Sequence, residues 1–140
     1  MKEKRILRIL DANANRAREG LRVVEDYCRF VLDDAELSSA IKNMRHDITD
    51  YLNSIAGASM LLGARDSESD VGAQEPETTP TLRQTPAGVV VANIKRAEEA
   101  LRCLEEYSKA LDAASAEAFK KIRFDLYALE KRLLPLLSER

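Results

Sequence analysis

Residues 13–29 read NANRAREGLRVVEDYCR, and eighty positions on, residues 93–109 read NIKRAEEALRCLEEYSK. Polar residues recur in register: Asn13 with Asn93, Arg16 with Arg96, Glu19 with Glu99, Arg22 with Arg102, Glu25 with Glu105 and Tyr27 with Tyr107. Around the first copy, Leu10, Ala17, Leu21, Val24, Cys28 and Val31 return at three, four and seven. That is the spacing of one helix face, and it does not match the strict alternation of a strand. The pattern predicts a long amphipathic helix over 9–32.

Outward from this helix, LDDAELSSA at 32–40 clusters capping residues and breaks the period. Ile41, Met44, Ile48, Tyr51, Leu52 and Ile55 then stripe a second helix that ends near Gly57. A third is predicted over 90–111, and Phe119, Ile122, Leu126, Leu129 and Leu133 stripe a fourth that Pro135 brings near its end. The second helices echo each other too, at a spacing of 78: IKNMRHD faces FKKIRFD, pairing Lys42 with Lys120, Arg45 with Arg123 and Asp47 with Asp125. The expected fold is all-α, a four-helix bundle made of two duplicated αα-hairpins. One domain over 1–140 is expected, with repeat one at about 8–57, an irregular loop at about 63–88 and repeat two at about 89–137.

That loop, GARDSESDVGAQEPETTPTLRQTPAG, holds three of the four prolines and three of the five glycines, so a helix is not expected there. A stretch this long inside a compact domain is usually a lid or binding loop, otherwise a tether. Its acidic front half is read as functional, and the order of 73–88 is left open.

A chain of 140 residues can bury roughly two thirds of its unfolded surface in one domain. With 45% hydrophobic and 33% charged residues and no Trp, the composition suits a helical protein that folds alone. A formal charge of -2 argues against a nucleic-acid grip, so any anionic ligand must be held by local arginines. Cys28 and Cys103 sit among apolar neighbours at helical spacing and are expected as buried, reduced thiols. No apolar run reaches the length of a membrane span, and the start, MKEKRILRIL, is charged where a signal peptide needs an apolar core. The expectation is a cytoplasmic protein that binds neither membrane nor nucleic acid.

At 100° per residue with Asn13 at zero, the apolar sector runs from about -40° to 100°. Asn13 lies inside it, Arg16 and Tyr27 on one edge, and Glu25 near the other. Glu19 and Arg22 point outward, where pairs from Glu19 to Arg22 and from Arg22 to Asp26, worth a few tenths of a kcal/mol, describe them as well as a ligand does. Arg45 and Arg123 lie on the shoulders of their stripes, where each either pairs with Glu25 or Glu105 or holds an anion. His46 lies off its stripe and is read as solvated. Phosphate-loop, dinucleotide, zinc-protease and nucleophile-elbow motifs are all missing from the sequence. From the residues alone, the chain is a duplicated bundle with an anion-binding site.

Three segments, RILDANANRAREGLRVVEDYCRFVLDD, LLGARDSESDVG and VVVANIKRAEEALRCLEEYSK, resemble the ThiD2 family, a small helical domain found alone or fused in front of thiamine phosphate synthase. The resemblance runs from Arg8 to about Leu134. It implies a hydroxymethylpyrimidine phosphate kinase, transferring the ATP γ-phosphate to 4-amino-5-hydroxymethyl-2-methylpyrimidine phosphate. On that reading Arg16, Arg65, Arg96 and Asp66 are catalytic, and Asp66 and Asp70 hold Mg²⁺. Asn13, Glu19, Arg22, Arg45, Asn93, Glu99, Arg102 and Arg123 then bind substrate. After DVG the family pattern leads through a more regular Ser/Thr-bearing loop to an arginine, whereas AQEPETTPTLR is irregular, which leaves the role of Arg83 open. No synthase barrel follows Arg140, which points to a stand-alone form or an isolated domain. The alternatives are a noncatalytic helical module that binds or regulates a thiamine-pathway enzyme such as thiamine phosphate synthase, and a generic bundle that forms a homodimer.

Overall fold

A computed structural model describes residues 2–73 and 85–137 of the chain. Arg83 and most of the Pro/Thr-rich half of the loop lie outside the described residues. The elements are α1 (Lys2–Phe30), α2 (Ala35–Ile55), α3 (Ala58–Ala64), α4 (Pro86–Ser108) and α5 (Ala113–Leu137). Four long helices form the two expected hairpins, α1 with α2 and α4 with α5, and no strand occurs among the described residues. None of these helices is long and apolar enough to cross a membrane.

Local chemistry explains the boundaries. Asp34 caps α2 by accepting the Leu37 amide at 2.9 Å, and Thr85 caps α4 by accepting the Gly88 amide at 3.0 Å. Pro86, read from sequence as a loop residue, instead opens α4, where its missing N–H has no bond to lose and its fixed φ suits a first turn. Gly63 and Ala64 likewise belong to α3, whose Leu61 and Ala64 are buried against the bundle. Helix therefore reaches into both ends of the segment 63–88. Similarly α1 begins at Lys2 and not near Ile9, because its charged first turns need only one apolar side, supplied by Leu7 and Leu10. Tyr51 and Val31, expected on the stripes, are exposed.

The two central helices, α1 and α4, pack most extensively. They run antiparallel, since Ile9 and Tyr107 share a cavity at one end and Tyr27 and Val89 share another at the opposite end. A β-carbon placed on Gly20 would lie 3.0 Å from the Asn93 carbonyl oxygen, so this glycine sets how closely the two helices approach. Helix α2 flanks α1, α5 flanks α4, and the outer helices touch each other. Leu21 and Val24 of α1, Ile41 and Ile48 of α2, Leu101 and Leu104 of α4, and Phe119 and Leu126 of α5 are fully buried. Each such side chain stabilises the fold by roughly 1.5–3 kcal/mol.

One ion pair locks each hairpin in the same place. Arg45 Nε donates to Glu25 Oε1 at 2.7 Å, and Arg123 Nη2 donates to Glu105 Oε1 at 2.7 Å, with Nε of Arg123 at 3.1 Å from the same oxygen. Both carboxylates are buried. Arg123 also donates to the Tyr127 hydroxyl at 3.1 Å and lies over the Phe124 ring.

The second hairpin carries a further charged cluster. Lys95 Nζ lies 2.9 Å from Glu130 and 3.3 Å from the buried Glu98, whose Oε2 meets no hydrogen-bond partner. Burial first, and the neighbouring Glu130 second, push the Glu98 carboxyl up to about 7. The matching positions of the first hairpin are Asn15, Arg18 and Leu52. There Arg18 donates to Asn15 and Thr49 at 2.6 and 2.9 Å, so the same location is filled by different chemistry.

Three outcomes follow for stability. Glu105→Ala strands the Arg123 charge in the interior and should cost about 3–5 kcal/mol in denaturant unfolding, whereas replacing both partners by apolar residues of similar volume should cost much less. Gly20→Ala should lower the melting temperature: overpacking against Asn93 costs about 1–3 kcal/mol, more than the 0.5–1 kcal/mol roughly gained in helix propensity. For Glu98, the fold holds a proton from the ordinary 4.5 up to about 7, so its contribution is present below pH 4.5 and is lost as pH rises through 7. Glu98→Gln should therefore match the parent chain in melting temperature at pH 4.5 and exceed it at pH 8.

Candidate functional site

Between them, α1 and α4 form a cleft of about 540 Å³. Its walls are five residue pairs at the 80-residue spacing: Asn13 and Asn93, Arg16 and Arg96, Glu19 and Glu99, Gly20 and Ala100, Val23 and Cys103. Both asparagines are anchored alike, donating Nδ2 to the carbonyl four residues back, Ile9 at 3.0 Å and Val89 at 2.8 Å. Amides fixed in this way turn their oxygens into acceptors, and Arg16 Nη1 donates to that of Asn13 at 3.4 Å. With two arginines and two glutamates, the centre balances its charges and offers donors and acceptors on both walls.

A second cavity of about 700 Å³ adjoins it and shares Asn13, Arg16 and Cys103. It adds Arg5, Arg8 and Asp11 of α1, Tyr107 of α4, and Arg65, Asp66, Ser67 and Asp70 from the turn after α3. Arg65 grips Asp11 with two parallel bonds, Nε to Oδ2 at 2.8 Å and Nη2 to Oδ1 at 2.9 Å, the strong fork geometry of arginine with a carboxylate. Asp66 Oδ1 accepts the Ser69 amide at 3.0 Å and Asp70 Oδ1 accepts the Gly72 amide at 2.9 Å, so both carboxylates shape their own turn. Among the described residues no group of three or more His, Cys, Asp or Glu side chains converges as a metal cage. The opposite end of the groove is apolar, walled by Val23, Tyr27, Phe30, Val31, Pro86 and Val89.

Of the residues expected to bind or act on a ligand, the fold brings Asn13, Arg16, Glu19, Asn93, Arg96 and Glu99 into the central cleft, and Arg65, Asp66 and Asp70 beside it. Four others lie elsewhere. Arg45 and Arg123 line neither cavity and are held by Glu25 and Glu105. Arg22 pairs along its own helix with Asp26 at 3.7 Å, and Arg102 with Glu106 at 3.1 Å. Cys28 is buried as expected, its thiol pushed up to about 11 mainly by burial, which makes it inert. Cys103 departs from expectation: it is half-buried and lines both cavities. Asp11 was not singled out from sequence, and no local signal marks it, since its partner Arg65 lies 54 residues away in an irregular segment. Arg5 and Arg8 were not singled out either, since the first helix was expected to begin only near Ile9.

The sequence profile of the ThiD2 family matches residues 8–132. The chain is 45% identical over 129 residues to the thiamine-phosphate synthase of Synechocystis sp., an alignment that covers 92% of this chain and 36% of that protein. It is 41% identical over 128 residues to the thiamine-phosphate synthase of Rhodopirellula baltica, covering 91% and 34%, and 40% identical over 129 residues to that of Nostoc punctiforme, covering 92% and 35%. The chain thus spans about a third of the length of the curated relatives it matches. No solved structure matches it. These relatives overturn the expectation of a hydroxymethylpyrimidine phosphate kinase, with ATP as its partner, since they carry the name of a different enzyme. That expectation rested on family resemblance, and a helical scaffold with arginines does not specify phosphoryl transfer. The profile extends over most of the chain, and its motif segments meet along one groove, from Asn13 on α1 through the turn at Asp66 to Asn93 on α4: the chain belongs to the ThiD2 family.

Proposed function

We propose that the chain is a noncatalytic helical module of thiamine synthesis, which binds or regulates a thiamine-phosphate synthase and holds a small anionic ligand in the groove between α1 and α4. The observation that carries the first part is that the match covers only about a third of each synthase, so in those proteins the counterpart of this bundle accompanies a much larger remainder. The groove supports the second part. Arg16 and Arg96 offer charged donors on facing walls, and a charge-assisted bond to an anion contributes roughly 1.5–3 kcal/mol. Glu19, Glu99 and the two asparagine oxygens accept hydrogen bonds from the neutral part of the same ligand. Mg²⁺ on Asp66 and Asp70 belongs to the proposal: two carboxylates suit that ion only when the ligand's own oxygens complete its shell.

Sedimentation of the chain mixed with a separately purified thiamine-phosphate synthase tests the partner. A complex with a dissociation constant of about 100 µM or tighter is expected, together with a changed synthase rate. No association and no change in rate would remove the partner from the proposal. For the groove, Arg16→Ala and Arg96→Ala should each lower the affinity for inorganic pyrophosphate about tenfold by calorimetry, the loss of about 1.4 kcal/mol.

A further inference from the structure

We infer that Asp11 is a positioning residue, which holds Arg65 at one end of the groove and thereby decides the end at which an anionic group is held there. The inference rests on the groove being a ligand site, as proposed above, and adds what orients the ligand.

The centre of the groove cannot set a direction. Its asparagines, arginines and glutamates come in matched pairs, so exchanging the two helices leaves the chemistry nearly unchanged. Direction must come from the ends, and the ends differ. At the 80-residue spacing Arg5, Arg8 and Asp11 are matched by Thr85, Gly88 and Val91, so the charges of one end have no counterpart at the other. The far end offers Val23, Tyr27, Phe30 and Val89, and its charged wall residue is Asp26, which repels an anion. The near end gathers Arg5, Arg8, Arg16 and Arg65 beside the carboxylates of Asp11, Asp66 and Asp70, so its four arginines outnumber its three acids.

Three of those arginines are placed by α1 itself. Arg65 is not: it follows the C-terminus of α3 and leads into a turn without regular structure. What fixes it is Asp11, whose side chain is 7% exposed and which takes Nε and Nη2 at 2.8 and 2.9 Å. A planar guanidinium held on those two nitrogens is fixed in orientation, and Nη1 is left as the edge a ligand meets. The weaker tie, from Arg8 Nη2 to the Asp66 carbonyl at 3.4 Å, is exposed and sets no such angle. A carboxylate buried at this position would be a poor choice for stability alone, since its desolvation offsets much of the attraction.

The test is a calorimetric titration of the full chain with inorganic pyrophosphate, with nitrogen-15 NMR mapping of where it binds. For the parent chain, shifts should fall on residues 8, 11, 16 and 65–70 and not on 27, 30 and 89. Asp11→Asn should weaken binding about tenfold and spread the shifts toward both ends, and Asp11→Glu should recover part of the loss. Arg65→Ala should weaken binding as much, and the double variant no more than either single one, because both changes act through one guanidinium. Asp11→Asn binding within about twofold of the parent, or additive losses in the double variant, overturns the positioning role while leaving the groove a ligand site. If Asp11→Asn does not fold, Arg65→Ala with an unchanged shift map overturns it equally. Pyrophosphate binding by the parent chain only at the far end, or not at all, overturns the ligand-site reading as well.

Discussion

In each hairpin a carboxylate and a guanidinium meet at 2.7 Å where little water reaches, Glu25 with Arg45 and Glu105 with Arg123. The net stabilisation from such a pair is small, because desolvating both charges offsets most of their attraction, yet breaking one is severe. The pairs therefore act chiefly on geometry. They set the rotation of α1 against α2 and of α4 against α5, and at 100° per residue Glu25 lies about 120° around the helix from Asn13. Once the glutamate is turned to its arginine, Asn13 and Arg16 face the neighbouring repeat. The same holds for Glu105, Asn93 and Arg96, so two equivalent constraints aim two equivalent walls at a common groove.

How close the walls come is set by smaller features. Gly20 lets α1 approach the Asn93 carbonyl. Cys103 lines both cavities together with Asn13 and Arg16.

Duplication supplied the pairs, and divergence made the two halves chemically different. At the position filled by Asn15 and Arg18 in one repeat, the other carries Lys95 and Glu98, a cluster with a carboxyl raised to about 7. At the groove ends, Arg5, Arg8 and Asp11 oppose Thr85, Gly88 and Val91. Both sets of differences leave the apolar stripes intact, although Glu98 and Asp11 are themselves buried, so the bundle keeps its core while its ends differ chemically.

The amino-acid sequence by itself determined the four long helices, their pairing into duplicated hairpins and the set of matched polar residues, because helical period and internal repetition are local properties that survive any packing. It also contained the segments that mark the ThiD2 family, though not the activity of its relatives. What only the tertiary structure decided was the assignment of partners. Arg45 and Arg16 are the same chemical group at similar positions on their helices, yet one is taken by Glu25 and the other lines the cleft. Nor does spacing join Asp11 to Arg65, or reveal that 58–64 turns into a helix and lays its end beside α1. The physical reason is that charge pairing depends on distances of a few ångströms between residues far apart in the chain, and those distances exist only after the apolar faces have closed on one another.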